Sequence, residues 1–200
     1  MTLESGVQFD EISHVYTFEG QIIPSVTTLM KPLSKTVYAD VDPVTLEAAA
    51  RKGTIVHNAI ENWMKFGIED IADEQRNYFD AYKKYEDEKK PKLLYSEVRL
   101  FHKYLRYAGT ADSICKIDGK TYIVDYKTTA NLNPMLTRVQ LEAYKQAVEN
   151  MGVKVQGKAI VQLKKDGTYK FEEHELVDGE AWKAFASLLN LHNYILSFKK

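Results

Sequence analysis

The chain has 200 residues, 44% hydrophobic and 28% charged, which suits a folded globular protein with a full core and excludes a disordered or fibrous one. A single cysteine, Cys115, rules out an intrachain disulfide framework, a four-Cys zinc site and a four-Cys iron–sulfur cluster, so any metal has to use His and carboxylates. With 27 Lys and Arg against 28 Asp and Glu the formal charge is −1, so a nucleic-acid site has to be local and no general attraction to nucleic acid or membrane is expected.

No apolar run long enough to span a bilayer occurs, and residues 1–9 lack a basic start and an apolar h-region, so a cytoplasmic protein is expected. In chain order, residues 14–18 and 21–23 read as two short strands around Glu19-Gly20, where β-branched and aromatic residues flank a glycine-bearing dipeptide. Ser25 or Thr27 offers an N-cap for a short helix within residues 25–33, limited by Pro32. Over residues 44–66, Val56, Ala59, Ile60 and Trp63 keep helical spacing, Asp42-Pro43 supplies the start and Gly67 the stop. A helix over about residues 73–89 carries Tyr78, Tyr82 and Tyr85 among many charges; it is expected on the surface, and Pro91 closes it. Residues 93–101, 106–117 and 121–126 then read as an antiparallel meander whose second turn, Asp118-Gly119, is a strong type I′ signal. A helix over residues 132–150, strands over 153–163 and 169–176, and a closing helix over 180–198 with the stripe Trp182, Phe185, Leu188, Leu189 and Ile195 complete the chain. The order predicts one α/β domain over residues 1–200 with a central mixed sheet flanked by helices.

The register of the Asp118-Gly119 hairpin carries chemistry. If those two residues are the turn, Ile117 faces Lys120, Ser113 faces Val124, and Asp112 lies opposite Asp125. Like charges so placed destabilise a sheet, and apolar Ile114, Ile117, Ile123 and Val124 point to a buried one, where unpaired carboxylates cost more still. A divalent cation would neutralise them, and Lys127, two residues beyond Asp125, points to the same side. The plain alternative is an Asp125–Lys127 ion pair with Asp112 solvated, and a one-residue slip would part the aspartates.

Gly109-Thr110-Ala111-Asp112, followed after the hairpin by Val124-Asp125-Tyr126-Lys127-Thr128, resembles the core of the PD-(D/E)XK nuclease superfamily. Gly53-Thr54-Ile55-Val56-His57 is similar to the G-x-x-x-H helix motif of the RecB-like branch, Gln140-Leu141-Glu142-Ala143-Tyr144 to its Q-x-x-x-Y motif, and Glu97 occupies the acidic position on the preceding strand. Pro24-Ser25-Val26-Thr27-Thr28 is similar to a segment near the start of phage-type members. The resemblance implies a restriction-endonuclease-like core: N-terminal hairpin and helices over 1–92, catalytic sheet and helix over 93–152, closing strands and helix over 153–200. It implies one or two Mg²⁺ or Mn²⁺ ions held by His57, Asp112, Asp125 and the Tyr126 backbone carbonyl, no iron–sulfur cluster, Lys127 as catalytic lysine, and Glu97 as support or ligand of a second ion. Gln140 and Tyr144 would flank the substrate; Thr128, outside that implication, could bond a phosphate or merely end its strand.

Each residue also has a bland reading. His57 lies beside an apolar stripe and could be a core histidine, Glu97 could pair with Arg99, and Gln140 and Tyr144, four apart on one helix face, could be a surface glutamine and a packed tyrosine. Of the basic residues, Arg51, Lys52 and Arg138 lie near the motifs and are candidate DNA contacts. The expected activity is hydrolysis of DNA phosphodiesters, by an exonuclease or single-strand nuclease of recombination, repair or phage DNA metabolism. Its substrate would be single strands or duplex ends, with a helicase or annealing protein as a conceivable partner and no membrane. The competing readings are a structure-specific endonuclease, a non-cleaving DNA-binding accessory protein, and a hydrolase of small phosphates.

Overall fold

The computed structural model describes residues 3 and 5–198. Strands β1 (Gln8–Asp10), β2 (Val15–Phe18) and β3 (Gln21–Ile23) form a small antiparallel sheet. Strand β1 was not expected from the sequence, because no glycine or proline marks the turn at residues 11–14 that joins it to β2. The single helix expected over 25–33 is two: α1 (Val26–Leu29), capped by the Ser25 hydroxyl accepting from the Thr28 N–H, and α2 (Lys31–Val37). Pro32 sits in the first turn of α2, where its missing N–H costs nothing, so it opens a helix and does not end one.

Helix α3 (Pro43–Phe66) runs from its Asp42 cap to Gly67, whose left-handed φ of 66° ends it. A 3-10 turn (Asp73–Gln75) leads into α4 (Arg76–Lys89). The surface position expected for α4 is corrected: Tyr78, Phe79, Ala81, Tyr82 and Tyr85 are buried, so the tyrosines form its inner stripe and the charges its outer one.

The main sheet runs β4 (Lys92–His102), β5 (Tyr107–Ile117), β6 (Lys120–Lys127), β7 (Gly157–Leu163) and β8 (Tyr169–His174), in that order. Only β6 and β7 are parallel, because α5 (Pro134–Asn150) carries the chain across between them. Residues 153–156, expected at the start of the seventh strand, precede it, and α6 (Gly179–Ser197) closes the fold. Among the described residues no helix is long and apolar enough to cross a membrane.

Both faces of the sheet are covered, which is why its middle strands read as unbroken apolar runs. Ile114, Ile123 and Ile160 pack with Val139, Tyr144 and Val148 of α5 and Phe185 of α6. Their neighbours Cys115, Val124 and Val161 pack on the other side with Val56 and Ile60 of α3 and Tyr82 and Tyr85 of α4. Trp182 borders the first core and Trp63 the second. A third cluster, Val7, Tyr16, Ile23, Phe101 and Ala108, fixes the small sheet to the β4–β5 hairpin.

Candidate active site

The β5–β6 hairpin has the expected register, from Ile117↔Lys120 to Ser113↔Val124, with Asp118 and Gly119 both at positive φ as a type I′ turn requires. The ladder stops one step short of the aspartates. There the Tyr126 N–H donates to Asp112 Oδ2 at 2.7 Å, so a side chain takes the place of a strand-to-strand bond.

Asp112 and Asp125 are 8% and 2% exposed, so both carboxylates must be compensated internally. The compensation is divided between elements. Lys127 Nζ stands 2.7 Å from Asp125 Oδ2 as a charge partner, while no donor is aligned for a hydrogen bond on that oxygen among the described residues. Asp125 Oδ1 accepts from Gln140 Nε2 at 3.2 Å. Asp112 Oδ1 faces His57 Nδ1 at 3.4 Å, and the other ring nitrogen, Nε2, donates to the Tyr126 carbonyl at 2.8 Å. Two donors expected to face an ion, His57 and the Tyr126 carbonyl, are therefore bonded to each other.

Glu97 arrives from β4 with a left-handed backbone, φ 46°, in a strand already irregular between Leu93 and Tyr95. A glutamate in that region is strained, a condition that concentrates at functional sites. One ligand atom from each of His57, Glu97 and Asp112 lies within 4.8 Å of the others. No Glu97–Arg99 ion pair forms among the described residues; Arg99 instead stands over the Phe9 ring, 5.8 Å from its centroid.

The charges respond as such crowding requires. Burial and the Asp112 charge push the Glu97 carboxyl up to about 8. Burial, opposed by Lys127 but reinforced by Asp112, raises Asp125 to about 6. Burial also works against the Asp112 anion, yet the His57 charge and hydrogen bond outweigh it and hold that carboxyl low. For His57, burial favours the neutral ring, but Asp112 wins and raises it to about 9. Lys127 likewise stays cationic: the two aspartates outweigh its desolvation. At neutral pH the cluster holds an imidazolium, an ammonium and the Asp112 and Asp125 carboxylates in mutual repulsion, with Glu97 mostly protonated beside them. A hard divalent cation, which prefers oxygen ligands and accepts imidazole in the case of Mn²⁺, fits these residues.

Other expected contacts are distributed differently. Gln140 Nε2 also donates to the Tyr144 hydroxyl at 3.1 Å, so its amide is committed within the protein. Thr128 is buried, and a Cβ on Gly53 would lie 3.9 Å from its Oγ1, an ordinary contact distance, so packing against Thr128 does not by itself require glycine on α3. Arg51 is exposed on α3, while Lys52 donates to the Tyr78 hydroxyl at 3.2 Å. Arg138, a candidate DNA contact, is half-exposed and already paired within the fold. Its Nε and Nη2 donate to the two oxygens of Asp178, the α6 cap, at 2.6 and 2.9 Å, and a fork so engaged braces two helices. Sequence reasoning missed the cleft wall made by Phe9, His14 and Tyr16, because β1 and β2, which carry it with the turn between them, are too short to show which side faces inward.

Comparison with known proteins bears on the family and the fold. A sequence model described as PD-(D/E)XK nuclease superfamily matches residues 46–193. A search of curated proteins gave no match. Among solved structures, LHK-Exo in complex with dAMP is similar at 13% identity and TM-score 0.52, over 88% of this chain and 89% of that one. A second structure of LHK-Exo, an alkaline exonuclease from Laribacter hongkongensis, aligns at 14% identity and TM-score 0.44, over 76% and 85% of the two chains. The structure of SSO0001 aligns at 16% identity and TM-score 0.46, over 84% and 74%.

Proposed function

The chain belongs to the PD-(D/E)XK nuclease superfamily, and from that premise we propose that it is a divalent-metal-dependent deoxyribonuclease whose centre is His57, Glu97, Asp112, Asp125 and Lys127. The observation that carries the reading is the convergence of His57, Glu97 and Asp112 within 4.8 Å, beside an Asp125 oxygen whose charge partner is Lys127 at 2.7 Å. Asp112, Asp125, Glu97 and His57 would hold Mg²⁺ or Mn²⁺, with the Tyr126 carbonyl as a further oxygen. When bound, the cation supplies positive charge to the phosphate oxygens and lowers the pKa of a water toward about 7.

The protein's own groups do the rest. Before His57 can act as a ligand it releases the Nε2 proton now donated to Tyr126, which frees the ring nitrogen and the carbonyl oxygen together. Lys127, already protonated, cannot serve as the base; it sets its ammonium where charge grows on the phosphorane oxygens or the incoming nucleophile. Gln140 acts through Asp125: its amide fixes the rotamer of that carboxylate and is itself held by Tyr144.

Exonucleolytic action, in recombination, repair or phage DNA metabolism, is the finer reading. It is supported by the resemblance of the sequence motifs and by the fold shared with LHK-Exo. The purified protein is expected to degrade linear DNA with Mg²⁺ or Mn²⁺, to stop with EDTA, and to leave covalently closed circles intact. Lys127→Ala and Asp125→Ala are each expected to lower the rate by about 10² or more; full activity in either variant would refute the assignment, and cutting of closed circles would refute end dependence.

A further inference from the structure

A cleft of about 1530 Å³ opens beside the centre, and its lining passes from Glu97 and Thr54 to Arg99, Phe9, His14 and Tyr16. We propose that Arg99 and the Phe9–His14 wall form a subsite for the nucleotide adjoining the cleaved phosphodiester, and that this subsite takes an unpaired DNA strand. The inference rests on the nuclease reading above and adds to it the strand state of the substrate.

Arg99 lies two residues from Glu97 along β4, roughly 7 Å in strand geometry and comparable to the step between phosphates of an extended single strand. It is exposed in the cleft and has no carboxylate partner among the described residues, whereas Arg76, Arg138 and Lys65 are each paired with an acid. A guanidinium offering a planar fork of donors beside a centre that handles phosphodiesters suits a second phosphate.

Next to it, Phe9 and Tyr16 have ring centroids 4.4 Å apart, and His14 stands 5.8 Å from Phe9. His14 is exposed, so its ring can meet a base. The wall is fixed to the strands that carry the centre. Tyr16 Oη shares a 2.7 Å hydrogen bond with Thr110 Oγ1, two residues before Asp112. Phe18 stacks on Phe101 at 4.4 Å, and the Ala108 N–H donates to the Pro24 carbonyl at 2.9 Å. A base stacked on this wall cannot remain stacked and paired in a duplex, which is the physical reason for assigning an unpaired strand. Strands β1–β3 precede the segment matched by the superfamily model, residues 46–193.

The test is fluorescence anisotropy of a labelled oligothymidylate and of a duplex of equal length, in EDTA so that nothing is cut. Arg99→Gln is expected to weaken single-strand binding about tenfold and to reduce the slope of log affinity against log salt by about 0.7. His14→Ala and Phe9→Leu are expected to weaken it about fivefold with the salt slope unchanged. Duplex binding should change less than twofold in all three. Arg99→Gln and His14→Ala alter exposed side chains and keep the test valid if Phe9→Leu disturbs the small sheet. Wild-type affinity and salt slope in those two variants, or equal losses on duplex and single strand, would overturn the subsite. Should the wild type cut no DNA while the variants still lose oligonucleotide affinity, the cleavage reading falls and the subsite stands; should it cut and the variants bind normally, the subsite alone falls.

Discussion

At the scale of single residues, a chain of close contacts runs from a glycine to the centre. A Cβ on Gly109 would sit 2.9 Å from Tyr144 Cε1, and the Tyr144 hydroxyl holds Gln140, which holds Asp125. The Tyr144 ring is buried and has nowhere to swing. Gly109→Ala is therefore expected to cost about 1–3 kcal/mol by overpacking, and to lower cleavage beyond what the loss of folded protein explains; melting temperature and rate per folded molecule separate the two effects. Glu97 behaves in the opposite sense. Its left-handed φ of 46° is relieved by glycine, so Glu97→Gly is expected to stabilise the metal-free protein by about 1 kcal/mol, while metal-dependent cleavage falls. A variant that melts higher and cuts less identifies strain held for function.

At the scale of elements, α5 is both a wall of the centre and the strap across the sheet. Its Glu142 is 1% exposed and pairs with Lys158 of β7, also 1% exposed, while the Gln146 amide and the Asp178 N–H complete the carboxylate's shell. Lys158→Met leaves Glu142 charged and without its main partner, and is expected to cost about 3–5 kcal/mol in a denaturation experiment. Adding Glu142→Met should recover most of that loss, since two methionines need no compensation. The neighbouring Asp178 is held low, at about 2, chiefly by its hydrogen bond from Arg138 against the pull of burial. A depressed carboxyl contributes stability that is present above its unfolded pKa near 4 and is lost as pH falls through the folded value. Melting experiments between pH 5 and pH 2 should therefore show about 1–2 kcal/mol more acid loss in wild type than in Asp178→Asn. None of this network was legible in the sequence: nothing in the spacing of Glu142 and Lys158 marks them as buried, and only the packing of α5 on β7 turns them inward. The hairpin was legible, because a two-residue turn fixes register by counting, and so were the helix bounds given by Asp42, Gly67 and Pro91. The tyrosine stripe of α4 was misread for a related reason. Each ring is flanked by charges, and periodicity alone does not say whether the apolar or the charged face finds a neighbour.

At the scale of the whole molecule, the centre stands where the sheet, α3 and α5 meet, and the acids that would hold an ion come from β4, β5 and β6. Ion binding and stability are then linked. At a free Mn²⁺ concentration of 100 times its Kd the protein is expected to gain about 2.7 kcal/mol, which for a chain of this size raises the melting temperature by roughly 5–10 °C. EDTA should reverse the shift, and Asp112→Asn should abolish it. The two faces of the sheet also bear their tryptophans separately. Trp63, whose indole N–H donates to Glu86 at 2.7 Å, borders the core beneath α3 and α4, and Trp182 borders the one beneath α5 and α6. These are the chain's two tryptophans. The molecule thus carries a built-in fluorophore on each side, and replacing one at a time with phenylalanine lets stopped-flow emission follow the assembly of either layer without any added dye.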